Sequence, residues 1–135
     1  MQRDGQITDQ EREALHRIEL AVEWLRRAHG NLVAFHHNTG HAMDHLAEAE
    51  QLLRAADCDG LADELRDDHL PLGVVRSNGE RWSYDLLEDF ESGFLSAVTG
   101  FEEAARREIA DGRRHITERS QEEEWKRRAG TDPER

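Results

Sequence analysis

Residues 82–110 read WSYDLLEDFESGFLSAVTGFEEAARREIA. At about 100° of rotation per residue on a helix, Leu87, Phe90, Phe94, Ala97, Val98, Phe101 and Ala105 fall on one apolar stripe. Ser83 is a good helix cap, and Trp82 before it and Leu87 after it are placed for a hydrophobic staple. The spacing predicts a helix from Ser83 to at least Ala110, with one face turned to a packing partner. Asp111-Gly112 breaks or bends it, and residues 113–128 are again helical in composition but poor in apolar side chains.

Upstream the same period recurs. Thr8-Asp9-Gln10-Glu11 reads as a capping box, in which the Thr8 hydroxyl and the Glu11 carboxylate each take an unsatisfied backbone N–H. The helix it opens runs to about His29, with Ile18, Ala21, Val22 and Leu25 on one stripe. Gly30-Asn31 is one place to end it. The stripe keeps its phase through Leu32, His36 and Met43, however, which leaves one long, slightly bent helix as an alternative. A second helical stretch covers residues 32–56, with Phe35, Ala42, Leu46, Ala49 and Leu53 on one face. A turn at 57–60 precedes a short helix at 61–69. Leu70-Pro71 stops that helix, since the residue before proline avoids helical dihedrals. Residues 72–81 are the longest non-helical stretch. Asn78-Gly79 is a tight-turn signal, but an isolated hairpin is only marginally stable, so a loop is favoured over two strands.

These elements place the chain in the all-α class. The expected architecture is a small helical bundle of three main helices plus one short helix. One helical domain is expected over 8–128, between flexible tails at 1–7 and 129–135. The length of 135 residues suits one domain. Only 36% of residues are hydrophobic and as many are charged, so the core should be thin. A thin core needs a partner to bury enough surface, and completion of the bundle as a homodimer is the expectation. Trp24 supports it, projecting from the side of its helix opposite the Ile18–Leu25 stripe.

The net charge is −12 and the pI about 5.0. Such a surface repels phosphate backbones and anionic lipid, which argues against nucleic-acid and membrane partners. Lys126 is the single lysine among 18 basic residues. Arginine with abundant carboxylates fits a high-salt, halophilic cytoplasm, and codon bias alone explains the skew as well. One cysteine, Cys58, excludes an intrachain disulfide. With no secretory signal and no apolar run near the ~20 residues that span a bilayer, the expected location is cytoplasmic.

Four of the eight histidines lie within residues 36–45. His37, His41 and His45 are spaced i, i+4, i+8, so each stands one helical turn from the next, within reach of a shared ion. Asp44 and Glu48 lie near the same side. Imidazoles with carboxylates suit a divalent transition metal, zinc or iron foremost. On the last large helix Glu108 falls in line with Phe90, Ala97 and Ala104, and His115 follows at i+7 if Gly112 keeps the phase. Placed opposite His41 and His45, they would complete a two-helix metal site. The competing readings are a solvated polar face that meets a protein partner and a pH-sensitive interface. The spacing does not choose among sensing, storage and simple catalysis. His29 and His36 sit on the first apolar stripe and read as core histidines satisfied by backbone carbonyls. His16 and His69 read as incidental.

A phosphate loop, a nucleophile elbow and a Cys-x-x-Cys pair are all missing from the sequence. Residues 35–50, with Trp82-Ser83-Tyr84 and Phe90-Glu91 downstream, give a chain that resembles small, uncharacterised acidic proteins of haloarchaea. That resemblance implies a high-salt cytoplasm and brings no activity. Ferritin-like sites need Glu-x-x-His on two helices, and hemerythrin-like sites draw histidines from several helices. This sequence has neither pattern.

Overall fold

The computed structural model describes residues 6–76 and 81–130. Among them the chain is all-α. It has α1 (Asp9–Ala55), α2 (Asp59–Glu64), α3 (Ser83–Phe90), α4 (Ser96–Ala110) and α5 (Ile116–Gly130), with π-helical turns at Leu65–His69 and Glu91–Leu95. A single antiparallel bridge joins Val75 and Arg81, and no strand forms among the described residues. The Asn78-Gly79 turn and the tail residues 1–5 and 131–135 lie outside the described residues. Two compact units are present: Met1–Arg26 with Leu95–Arg135, and Arg27–Phe94.

The capping box forms as expected. Thr8 N–H donates to Glu11 Oε1 and Glu11 N–H to Thr8 Oγ1, both at 3.0 Å. From there α1 continues for 47 residues without a break. Gly30 and Gly40 sit within it with open space around them, so they cost helix propensity without ending the helix. The less exposed positions include Leu15, Ile18, Val22, Leu25, His29, Leu32, His36, Thr39 and Met43. They alternate by three and four residues, the spacing of a helix that packs along one seam. The helix ends at Ala55; beyond it Asp57 adopts φ 62° while Cys58 N–H donates back to Leu53 O at 2.8 Å, satisfying a terminal carbonyl.

In the Arg27–Phe94 unit, Arg54 at the end of α1 reaches Asp63 of α2 and Glu50 one turn back, each at 3.0 Å. These hydrogen bonds, Asp63's first, raise the Arg54 pKa. Ser83 is the first residue of α3 rather than its cap. It is buried, and its hydroxyl lies 2.8 Å from His36 Nδ1. Asp85 takes over part of the capping role by accepting from Trp82 N–H at 3.0 Å.

The π turn at Glu91–Leu95 changes the face of the helix that follows. One extra residue in a turn rotates everything downstream by about 100°. Burial therefore steps from Phe90 to Leu95 and on to Val98, Glu102, Arg106 and Ala110. Phe94 and Phe101, on the expected stripe, are 59% and 61% exposed. Glu108 is exposed as well, which corrects its expected place on the buried face. The buried charges on α4 are Glu102 and Arg106, ion-paired one turn apart.

The helix also ends where it was in doubt. Asp111 (φ 52°), Gly112 (φ 85°) and His115 (φ 60°) are left-handed, so the chain leaves the helix before α5 begins. Glu108 and His115 thus do not share a helix, and their i+7 relation has no geometric meaning. The core is thin: Leu15, Val22, Ala62 and Ala110 are the buried apolar residues among those described.

Candidate functional site

The seam of α1 carries two of its histidines into contacts with α3 and the turn after it. His29 Nε2 lies 2.7 Å from Glu91 Oε2, and its ring stacks on Phe90 with centroids 6.1 Å apart. His36 meets Ser83 as described. Both are half-buried and satisfied, but by side chains rather than the expected backbone carbonyls.

The row expected to bind metal lies off that seam. His37, His41, His45, Asp44 and Glu48 are all exposed on α1. His37 has a tilted ring contact with His36, with centroids 5.6 Å apart. Among the described residues, one group of three or more His, Cys, Asp or Glu brings its ligand atoms within 4.8 Å of one another, and it is elsewhere: His16, Glu19 and Glu118. A single helix face spaces its imidazoles by whole turns, and among the described residues no group of three such ligand atoms within 4.8 Å includes a member of this row.

The converging group lies in the Met1–Arg26 and Leu95–Arg135 unit. His16 and Glu19 stand three residues apart on α1, hence on one face. Glu118 comes from the first turn of α5, where an acidic side chain suits the helix dipole. Its Oε2 lies 3.5 Å from His16 Nδ1. That nitrogen is shielded from solvent and makes no hydrogen bond. Beside the group is a cavity of about 220 Å³, lined in part by Glu19, Glu23, Glu102 and Glu118 against Arg26 and Arg114. His115 also lines it, so that residue reaches a polar site, though without Glu108. The i, i+3 pair His16 and Glu19 was visible in the sequence. The approach of Glu118 was not, because it depends on the three left-handed residues before α5.

A different surface occupies the Arg27–Phe94 unit. Leu46, Leu53, Leu61 and Leu65 line an apolar groove of about 400 Å³. Its polar rim is Glu64 and His69, whose side chains meet at 3.0 Å. No helix of the described residues is long and apolar enough to cross a membrane. No protein-family model, curated protein or solved structure matches the chain, so the reading of these surfaces rests on their geometry.

Proposed function

We propose that this chain is a non-catalytic interaction module whose working form is a homodimer, a second copy covering the leucine groove of the Arg27–Phe94 unit. The groove is the observation that carries the reading. Leu61 is 58% exposed and Leu46 36%, in a chain with four buried apolar residues among those described. Moving a half-exposed leucine out of water contributes on the order of 1 kcal/mol, and a two-fold contact repeats each gain in both copies.

Charge favours a second copy over a strongly charged partner. The chain carries −12, yet the groove lining holds one carboxylate, and that carboxylate is hydrogen-bonded to a histidine. Leucines meeting the same leucines match this surface. The charge of −12 on each copy opposes association at low salt, and screening relieves it. The dimer is therefore expected to tighten as ionic strength rises, in keeping with a halophilic setting.

Light scattering on untagged protein, in dilute and in molar salt, tests the reading. The expected mass in molar salt is about twice 15.6 kDa. Leu61→Glu should return the monomer mass with the helical circular dichroism unchanged. A wild-type chain that stays monomeric across the whole salt range refutes the proposal.

A further inference from the structure

We propose that His16, Glu19 and Glu118 form a binding site for a divalent first-row transition metal, separate from the groove. The donors are one imidazole and two carboxylates, a set that zinc, manganese and ferrous iron accept. They come from two helices, and their ligand atoms lie within 4.8 Å of one another. Two donors held ~2.1 Å from one tetrahedral ion stand about 3.4 Å apart. His16 Nδ1 and Glu118 Oε2 stand 3.5 Å apart. That gap is long for a hydrogen bond and natural for two ligands of one ion.

The state of the His16 ring adds to this geometry. Its side chain is 28% exposed, but Nδ1 itself is shielded from solvent and makes no hydrogen bond, with the Glu118 carboxylate as its ion-pair neighbour at 3.5 Å. A metal ion satisfies it directly. The adjoining cavity has the right sign for a cation, with four glutamates against two arginines among its lining. One of them, Glu102, is already ion-paired with Arg106, which leaves Glu23 to balance charge or hold a metal-bound water. Three protein ligands leave a coordination position open to water, as in sites that exchange a ligand.

The test uses the full, untagged chain and zinc chloride as the probe. Elemental analysis after dialysis and titration calorimetry should give about one zinc per chain. His16→Ala and Glu118→Gln should each weaken binding by about ten-fold or more, with helical circular dichroism retained. His41→Ala should leave the affinity unchanged. If a variant fails to fold, nitrogen NMR of the wild-type imidazoles decides the matter: zinc should shift the His16 Nδ1 resonance ahead of those of His37, His41 and His45. No retained zinc overturns the proposal. Zinc that is indifferent to both substitutions, or lost in His41→Ala, also overturns it. None of these readouts depends on the oligomeric state, so the site and the dimer stand or fall separately.

Discussion

Alanine at Gly73 should destabilise the protein, while alanine at Gly40 should stabilise it. A Cβ built on Gly73 would lie 2.6 Å from Arg81 N and 2.7 Å from Arg81 O. Both are backbone atoms, so no side-chain rotation relieves the clash. Arg81 makes the bridge to Val75 through two hydrogen bonds of 3.1 and 2.9 Å. Separating the two segments breaks that pair, at about 1 kcal/mol per bond. The reduced freedom of the unfolded chain returns ~0.4–1 kcal/mol. The net expectation is a loss of roughly 1–2 kcal/mol, seen as a urea midpoint lower by roughly 0.5–1 M. At Gly40, within α1, a Cβ meets nothing within 4 Å. Alanine there should gain about 0.5–1 kcal/mol, because glycine in a helix interior is costly. The assay is urea unfolding followed by circular dichroism, with protein concentration held fixed so that association does not shift the midpoint. Equal effects at the two glycines, or a gain at Gly73, would refute the close approach of residues 73 and 81.

Three further outcomes are expected. His36→Ala should cost about 1–3 kcal/mol by leaving the buried Ser83 hydroxyl without its partner, and a double-mutant cycle with Ser83→Ala should show coupling rather than additivity. Arg106→Ala should cost about 3 kcal/mol, because it strands the buried Glu102 carboxylate, and the paired Glu102→Leu/Arg106→Leu change should recover most of the loss in thermal melts. Asp67 accepts two hydrogen bonds from Arg66, at 2.7 and 2.9 Å, which hold its pKa below the ordinary value; the resulting stability is present above the unfolded pKa near 3.9, fades as pH falls through the lowered value, and an NMR titration of Arg66→Ala should show Asp67 returning toward about 3.9.

Much of the candidate-site chemistry was visible in the sequence only as a supply of donors. The row His37, His41 and His45 has ideal helical spacing, and its side chains are exposed on one face of α1, outside the group of ligand atoms that converges within 4.8 Å among the described residues. His16 offers only Glu19 at i+3, and its candidate partner Glu118 belongs to α5, far along the chain. Glu108 was legible as a buried acid only on an uninterrupted helix. The π turn at Glu91–Leu95 moved that role to Glu102.

The sequence by itself determined the features that arise from neighbouring residues. The all-α class follows from the 3.6-residue period, the start of α1 from the Thr8–Glu11 box, and the end of the short helix from Pro71. Each rests on interactions spanning a few positions, so a local reading suffices. The tertiary structure alone decided the unbroken course of α1 through two glycines, the partners of His29 and His36, and the meeting of His16 with Glu118. Those outcomes depend on chain reversal and on rotations accumulated along helices. A single extra residue in one turn rotates everything after it by about 100°, and no pattern confined to one helix records where that rotation falls.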